Sequence, residues 1–481
     1  MKARNIEDLE KKRKSIRACI LHVKRYAKYF FVVHDLQTAI GNPQKIQTIV
    51  DSVPIIAHDI SSGDFMLQFA AVHKMEFIMV QLKDHAATQA LVQRGIVPHL
   101  LRFLGTCPGY VQITVVEVLY KLINESPEQA QEIIDHGGAP IIVGLLHSRY
   151  ITVKVRALGA MACAQDLPPQ YRDALLKHGA ATELTVLLEP LVELPMLTVS
   201  QGSEEATLLY RGVQSLPGLC SGDPLPEVHL VEILVPSLRR LLLLHIPIGI
   251  YTEIITDACV TLYYILENLM IANRLQDYVN AELCESLLLL MQGTSEELDE
   301  AIHLIFRNLI SSQALFQVLM DKDLLQALNQ NLYDEPVYQA KSCKTIFAII
   351  YYRRVSVQAI LDEHIIHRLL EIIQDGFGDV EVKELAVSIL AQAVRHGTVE
   401  DINLLVDLGC IQPLCEYLNN IVTRAYCIIG LRKIIQKGNE QRIRNANIYA
   451  GIVGEVGGDT IRALQNDGHL GSIARWIMMH I

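Results

Sequence analysis

The sequence predicts an all-α protein built from repeats, on three observations. A short phrase recurs along the chain: a glycine or similar residue, two apolar or small residues, often a proline, then a helical run that ends in apolar residues. Apolar residues between the phrases follow helical spacing, and no run shows sustained alternation of apolar and polar residues. The third observation is a hydrophobic content of 51%. Stacked helical repeats would account for it, because they bury one continuous core.

The apolar content does not come from a predicted membrane span. The longest stretch without Asp, Glu, Lys or Arg runs only from Phe103 to Val116, well short of the roughly 20 apolar residues that a spanning helix needs. The N-terminus carries Lys2 and Arg4 with no apolar segment behind them, unlike a secretory signal. The ten cysteines are scattered without a CxxC pair, so we expect reduced, mostly buried thiols.

The recurring phrase sets the period of the repeats. Its copies begin at Gly95, Gly137, Gly179, Ile233, Glu282, Asp323, His364, Gly409 and, loosely, Gly457. The intervals are 42, 42, 54, 49, 41, 41, 45 and 48 residues, close to the ~40–47 residues of armadillo and HEAT repeats. The intervals hold three helical runs, and in the clearest copies a glycine supplies the turn before the second run. This favours the three-helix armadillo plan over the two-helix HEAT plan.

Charge divides the chain into a basic arm and an acidic body. Residues 1–30 hold ten Lys and Arg against three acids, a local charge of +7 that leaves −18 on the other 451 residues. Such a body attracts basic ligands and repels nucleic acid. We predict a basic arm over residues 1–34, a linker over 35–61, and a solenoid of about nine or ten armadillo repeats over 62–481.

Three segments resemble the importin-α (karyopherin-α) family, adaptors that carry proteins with nuclear-localisation signals into the nucleus. Tyr171 to Ala180, Gly397 to Leu414 and Gly457 to Gln465 are similar to the family's third, eighth and tenth repeats. The resemblance runs in register over roughly residues 62–481. It implies a right-handed armadillo-repeat superhelical solenoid and a location in cytoplasm and nucleus.

The basic arm is similar to the family's importin-β-binding segment, which also folds back into the cargo groove. The resemblance implies importin-β as a partner, bound by Lys11, Lys12, Arg13, Lys14, Arg17, Lys24 and Arg25. A solvated basic helix is the plainer alternative. Residues 29–33 are apolar where the family keeps basic residues, so the resemblance to an autoinhibitory segment is weaker.

The family binds basic cargo with a ladder on the third helix of successive repeats. In each slot a Trp holds the stem of a cargo lysine and an Asn one turn later binds the cargo backbone; a Trp face near a cation contributes ~0.5–2 kcal/mol. The only tryptophan here is Trp476, beyond the ladder. The resemblance places substituted ladder positions at Glu117, Lys121, Arg156, Ala160, Gln214, Gly218, Val260, Lys344 and Ala348, with Val387 or Ser388 and Ala391 or Gln392 in the eighth repeat. Tyr264, Asn308 and Glu384 match retained positions, although Glu384 also fits a solvated helix charge.

The sequence therefore predicts an importin-α-like adaptor in protein import into the nucleus, with a degenerate groove for classical lysine-rich signals. Arg156 and Lys344 put cations where cargo lysines would lie, and like charges about 4 Å apart cost ~1 kcal/mol in water and ~4 near a protein surface. The implied partners are importin-β, cargo that includes non-classical signals, and an export receptor through the tenth repeat. The alternative is an armadillo scaffold that has lost transport. Phosphate-loop, GxSxG and HExxH motifs are absent, so we expect no enzyme, cofactor or metal site.

Overall fold

The computed structural model describes residues 32–192, 203–243, 252–291, 295–440 and 447–481. Within these ranges the chain is helical and contains no strand, which confirms the predicted all-α class. Residues 1–31, most of the predicted basic arm, lie outside the described residues. The chain divides into two compact units, Met1–Leu234 and Val235–Ile481.

The first unit repeats a three-helix order, and the third helices are α4, α7, α10 and α13. Its helices are α1 (32–39), α2 (Pro43–Asp51), α3 (Val53–Ser61), α4 (Phe65–Glu76), α5 (His85–Val92), α6 (Val97–Thr106), α7 (Gly109–Glu125), α8 (Pro127–Asp135), α9 (Gly138–Gly144), α10 (Ile151–Ala162), α11 (Pro169–Lys177), α12 (Ala180–Val192), α13 (Glu204–Gln214), α14 (Leu216–Cys220) and α15 (Val228–Val231). The third helices pack side by side, α4 on α7, α7 on α10 and α10 on α13.

The second unit continues the same order, with α17, α19, α22, α25 and α28 as its third helices. Its helices are α16 (Val235–Leu243), α17 (Thr252–Ile271), α18 (Ala281–Leu290), α19 (Glu296–Ile310), α20 (Gln313–Met320), α21 (Leu324–Asn331), α22 (Pro336–Tyr351), α23 (Val357–Asp362), α24 (Ile365–Gln374), α25 (Val380–His396), α26 (Val399–Asp407), α27 (Ile411–Glu416), α28 (Arg424–Glu440), α29 (Ile448–Ala463) and α30 (Gly471–Met478). Each third helix packs against the next one along the chain.

The recurring phrase marks a left-handed backbone turn before the second helix of a repeat. Six of the nine predicted copies have a positive φ: Gly95 (68°), Gly137 (79°), Gly179 (86°), Asp323 (61°), His364 (58°) and Gly409 (92°). Glycine adopts this conformation at no steric cost, whereas a side chain with a β-carbon is strained there. The repeats at Asp323 and His364 therefore keep the turn after losing the residue that favours it.

The last copy of the phrase, at Gly457, is not a turn, and that prediction is wrong. Gly457 lies inside α29 and is buried. A β-carbon there would lie 2.7 Å from Cys415 Sγ. The glycine therefore allows α29 to approach α27 closely, and its Gly-Gly dipeptide resembles a turn signal only in composition.

The segment 35–61, predicted as a linker, differs from an irregular connection. It contains the end of α1 and all of α2 and α3, and Val53, Ile56 and Ile60 are buried. Its two prolines lie in the first turns of α2 and α3, where a missing amide hydrogen interrupts no helical bond. Proline content therefore indicated helix starts here rather than a loop.

Helix α17 is long and apolar enough, by length and composition, to cross a membrane. Half of its apolar window is buried inside the protein, where α17 packs against α16 and α19. A core helix passes the same composition test. The nine cysteines of the described ranges are free thiols, and eight of them are buried. Burial raises the pKa of Cys343 and Cys410 to about 12, so these thiols stay protonated at neutral pH.

Candidate ligand groove on the third helices

The ladder positions suggested by the resemblance lie on third helices, with one exception. In the first unit Glu117 and Lys121 lie on α7, Arg156 and Ala160 on α10, and Gln214 ends α13. In the second unit Val260 and Tyr264 lie on α17, Asn308 on α19, Lys344 and Ala348 on α22, and Glu384 on α25. The exception is Gly218, which belongs to the short helix α14. The cations from Lys11 to Arg25 lie outside the described residues.

Glu117 and Arg156, at two successive ladder positions where the resemblance places a Trp, form an ion pair. The Arg156 guanidinium on α10 contacts the Glu117 carboxylate on α7. The Glu117 side chain is 12% exposed and the Arg156 side chain is 46% exposed. The ring of Tyr120 lies below, with Arg156 Cζ 5.8 Å and Lys121 Nζ 5.6 Å from its centroid. Glu117 therefore offsets much of the repulsion that we expected from Arg156 alone.

Two further ladder positions of the first unit, Ala160 and Gly218, are closed by packing. Ala160 is buried, and the Tyr171 hydroxyl donates a hydrogen bond to its carbonyl oxygen over 2.9 Å. Gly218 is buried as well, and a β-carbon there would lie 2.8 Å from the Ala162 carbonyl oxygen. Helix α13 ends before Ser215, and Pro217 lies in the first turn of the next helix, α14. An Asn side chain has no room at Gly218, so this slot lacks a backbone-binding group.

The second unit holds the retained Tyr264 and Asn308. The Tyr264 ring is half-buried, with its centroid 5.1 Å from that of Tyr263. Burial, with the Glu267 carboxylate nearby, raises the pKa of Tyr263 to about 12. The side-chain nitrogen of Asn308 is buried and has no hydrogen-bond partner among the described residues. A buried donor without an acceptor costs roughly 1–3 kcal/mol, so this amide nitrogen is suited to donate a hydrogen bond to a ligand carbonyl.

The seventh repeat also carries an internal ion pair at its Trp position. Lys344 Nζ lies 3.0 Å from Glu381 Oε1 on the next third helix, α25. The Lys344 side chain is 40% exposed and that of Glu381 61%. As at Arg156, the cation of one repeat is paired with an acid of its neighbour. The predicted repulsion of basic cargo by Lys344 is therefore reduced.

The eighth repeat has no open slot on the described surface. Its alternative ladder positions, Val387, Ser388, Ala391 and Gln392, are all buried. The rings of Phe347 on α22 and Tyr426 on α28 meet across α25, with centroids 5.6 Å apart in an edge-to-face arrangement. Aromatic pairs of this geometry contribute about 0.5–1.5 kcal/mol beyond burial, so the closure is stable.

Glu384, the third position that the sequence suggests is retained, has an internal partner. Asn420 Nδ2 donates a hydrogen bond to its carboxylate over 2.6 Å. The same Asn420 side chain accepts a hydrogen bond from the Val422 amide over 2.8 Å. Glu384 therefore holds the turn before α28. Burial, with the charge of Glu384 beside it, raises the pKa of Tyr417. Glu384 is therefore not only a solvated helix charge, which was the alternative interpretation of the sequence.

Four residues that shape these positions escaped the sequence interpretation: Tyr120, Glu381, Phe347 and Tyr426. Tyr120 and Phe347 each follow a ladder position by three residues, which places them on the same helix face. That spacing is the signal that could have identified both. Glu381 and Tyr426 have no comparable signal, because their partners lie on other repeats.

Other candidate groups contain no assembled chemical site. The described residues include no cluster of three or more His, Cys, Asp or Glu placed to hold a metal ion. His364 and His367 meet only each other, with ring centroids 5.5 Å apart. Trp476, in α30, stacks on His480 and lies under Arg432 of α28, 5.2 Å from its guanidinium carbon. Trp476 therefore packs α30 against α28.

The helix order and packing define an all-α, armadillo-like helical repeat protein. A crystal structure of an engineered protein has a similar fold, with a TM-score of 0.68 over 89% of this chain and 98% of that one. Identity between the two is 19%, so the likeness concerns the fold alone. No protein-family model matches the chain.

Similar curated proteins indicate which kind of protein the chain resembles. The chain is 26% identical over 328 residues to importin subunit alpha-1a of Oryza sativa subsp. japonica, covering 67% of this chain and 58% of that protein. It is 24% identical over 428 residues to importin subunit alpha-3 of Arabidopsis thaliana, covering 86% and 76%. Importin subunit alpha-4 of Arabidopsis thaliana is 24% identical over 449 residues, covering 90% and 79%. The chain is a divergent relative of the importin-α subunits, and the resemblance seen in the sequence is confirmed.

Proposed function

We propose that the chain is an adaptor of the importin-α type that bridges cargo to importin-β during protein import into the nucleus. The observation that carries the proposal is the match to importin-α subunits over as much as 90% of the chain. The placement of the suggested ladder positions on third helices supports it. Such an adaptor works in both cytoplasm and nucleus, and an export receptor that binds the last repeats would return it.

Importin-β binding is assigned to the basic arm. The arm carries +7 over residues 1–30, and Lys11 to Lys14, Arg17, Lys24 and Arg25 would contact an acidic partner. Charge complementarity of this kind raises the association rate and falls with added salt. The acidic body, at −18, repels nucleic acid and favours a protein partner of basic character.

Cargo binding is proposed to depend little on lysine-rich signals. No described third helix presents an indole, the Trp positions at Glu117, Arg156 and Lys344 carry internal ion pairs, and the eighth repeat is closed. A lysine stem then has few apolar walls to pack on. Non-classical cargo that uses Asn308, Tyr264 or surfaces outside the ladder fits this pattern better.

The test is capture of the full chain by importin-β. A variant with Lys11, Lys12, Arg13 and Lys14 changed to Glu should lose at least about tenfold in affinity, or about 1.4 kcal/mol. The matched control reverses four exposed cations elsewhere, Arg94, Arg102, Lys177 and Arg462, and should keep its affinity. Equal binding by both variants, or no binding by the unaltered chain, would overturn the proposal.

A second function, an armadillo scaffold without transport, is favoured by one specific observation. Phe347 and Tyr426 close the eighth repeat from within the chain, so this part of the ladder cannot hold an extended peptide. A scaffold of this kind would bind partners through other surfaces and would not need importin-β. The importin-β measurement therefore separates the two functions.

A further inference from the structure

Three successive turns of the second unit carry exposed apolar side chains. Each turn joins the second and third helices of a repeat: 332–335 before α22, 375–379 before α25, and 420–423 before α28. The exposed residues, here named the apolar ridge, are Tyr333 (62% exposed), Val337 (40%), Phe377 (102%), Val380 (67%), Ile421 (75%) and Val422 (58%). Exposed apolar residues that occur singly are ordinary, but a contiguous group marks an interaction surface.

The three turns lie side by side because their helices run in parallel. Helix α22 packs against α25 and α25 against α28. Lys344, in the middle of α22, pairs with Glu381 in the first turn of α25, and Glu384 accepts a hydrogen bond from Asn420 just before α28. At the other ends, Arg353 Nε donates a hydrogen bond to His396 Nδ1 over 3.0 Å. The ridge is therefore a row of three neighbouring tips rather than three isolated loops.

The fold itself does not require these apolar side chains. In the middle turn, Asp375 accepts a hydrogen bond from the Phe377 amide over 3.0 Å, and Asp379 caps α25 through the Val382 amide over 3.1 Å. Polar groups thus build the turn, and the Phe377 ring extends into solvent. A polar residue at 377 would serve the turn equally well, so the apolar choice needs another explanation.

Charges around the ridge are mostly acidic and narrow the choice of partner. Asp334, Glu335, Asp375, Asp379 and Glu381 are exposed beside the apolar residues. Three cations lie among them: Lys344 is paired with Glu381, Lys383 donates a hydrogen bond to the Asp375 carbonyl oxygen, and Arg368 lies over the Tyr333 ring with its guanidinium carbon 4.4 Å from the centroid. The acids therefore outnumber the cations. Helix capping explains Asp379, and the helix dipole favours several of the other acids. Whatever their role in the helices, these acids create a negative electrostatic field at the ridge. It disfavours an anionic membrane surface and a second copy of the same ridge, and it favours a partner with lysines or arginines.

We propose that the apolar ridge binds a helix of a partner protein, with an apolar face flanked by Lys and Arg. Neighbouring third helices are spaced by roughly 8–10 Å, and seven residues of an α-helix rise about 10 Å while returning to the same face. Side chains at i, i+7 and i+14 therefore meet all three turns. In an extended strand, positions about 10 Å apart are three residues apart and face opposite sides.

A polyproline helix also repeats a face every three residues, about 9 Å. Its known binding sites are aromatic-lined grooves, whereas the ridge protrudes. The ridge lies at the starts of the third helices and excludes the ladder residues Lys344 and Ala348. The ridge does not include the basic arm, so binding there does not need the residues that are proposed to contact importin-β.

The test uses an 18-residue fluorescent peptide with high helix propensity, leucine at positions 3, 10 and 17, and flanking lysines, titrated into the full chain. Changing Phe377, Val380 and Ile421 to Ser should weaken binding at least about tenfold. The matched control changes Ile271, Ile448 and Met479 to Ser, which are exposed elsewhere in the unit at 71%, 54% and 79%. It should bind as the unaltered chain does.

A second variant tests the charge argument without touching the apolar residues. Asp334→Lys with Glu335→Lys should weaken binding severalfold, and a peptide with glutamates in place of its lysines should bind the unaltered chain weakly. Equal binding by the ridge variant and its control would overturn the proposal. So would equal binding of the glutamate peptide, or tighter binding of a proline-rich peptide than of the helical one.

Discussion

Replacing Arg156 by Trp should give the first unit a working lysine slot. In the present structure the Arg156 guanidinium fills the position and pairs with Glu117, whose side chain is 12% exposed. Removing the cation frees that carboxylate and leaves the Tyr120 ring beside it. The indole then offers a wall for a lysine stem, and Glu117 attracts the ammonium group.

The magnitude follows from two contributions. Removing a like charge is worth ~1–4 kcal/mol, and because Glu117 already offsets part of it we take about 1 kcal/mol. The indole adds ~0.5–2 kcal/mol, taken as about 1. Arg156→Trp should therefore tighten binding of a lysine-rich peptide about 30-fold, and Arg156→Leu, which lacks the indole, only about fivefold.

The assay is fluorescence anisotropy of a labelled lysine-rich peptide with the chain lacking residues 1–31. The deletion stops there because Leu36 and Ala39 pack on Phe77, and a longer one would expose that core. A peptide with alanines in place of lysines should not distinguish the variants. If Arg156→Trp binds no better than Arg156→Leu, the slot explanation is refuted.

Three further predictions concern stability, measured by thermal and denaturant unfolding. Gly137→Ala should lower the free energy of unfolding by about 1–2 kcal/mol because φ there is 79°, while Gly144→Ala, at a helical φ of −62°, should raise it by about 0.5–1. Lys341→Met should cost about 3–5 kcal/mol, because it leaves the fully buried Asp299 carboxylate, 3.6 Å from Lys341 Nζ, without its cation. Burial raises the pKa of Asp257 to about 6, so Asp257→Asn should stabilise the protein by about 1 kcal/mol at pH 7, after allowance for solvent screening.

The sign for Asp257 follows from proton binding. The folded protein holds this proton more tightly than the unfolded chain, so the contribution favours folding below pH 4 and is lost as the pH rises through 6. The gain from Asp257→Asn should vanish at pH 4, and a gain that persists there would contradict the assignment. Asp459→Asn, at a fully exposed residue, is the control and should show no such dependence.

The buried pair has its own control, the double variant Lys341→Met with Asp299→Leu. Replacing both charges by apolar groups removes the uncompensated carboxylate. The double variant should therefore be more stable than Lys341→Met alone. A double variant that is less stable than the single one would show that the ion pair is not the source of the effect.

The period of the fold could be predicted from the sequence because most repeats contain the same short phrase, a turn residue followed by an apolar helical run. Gly95, Gly137, Gly179 and Gly409 adopt the left-handed turn that the phrase requires. Even Asp323 and His364 were located without a glycine, because the apolar helical run after each of them remained. Gly457 shows the limit of this approach: a glycine that allows close helix packing and one that allows a turn look alike in sequence.

The residues at the ladder positions could be predicted from the sequence, but their contacts with neighbouring repeats could not. The sequence predicts Arg156 and Lys344 as cations that repel basic cargo. Their pairing with Glu117 and Glu381 depends on contacts between repeats, which residue types alone do not determine. The contact of Phe347 with Tyr426 spans two repeats, and only the packed helices bring the two rings together.

The central claim is that the chain is an adaptor of the importin-α type whose ladder has little affinity for lysine-rich signals. One titration tests it most directly. A lysine-rich signal peptide is titrated into the chain lacking residues 1–31, beside an importin-α subunit with its tryptophans intact and its own basic arm removed. Losing two or more indole slots at ~0.5–2 kcal/mol each, taken as about 1 as above, predicts binding at least about 30-fold weaker than that reference. A dissociation constant within about threefold of the reference, or about 0.6 kcal/mol, would contradict the account.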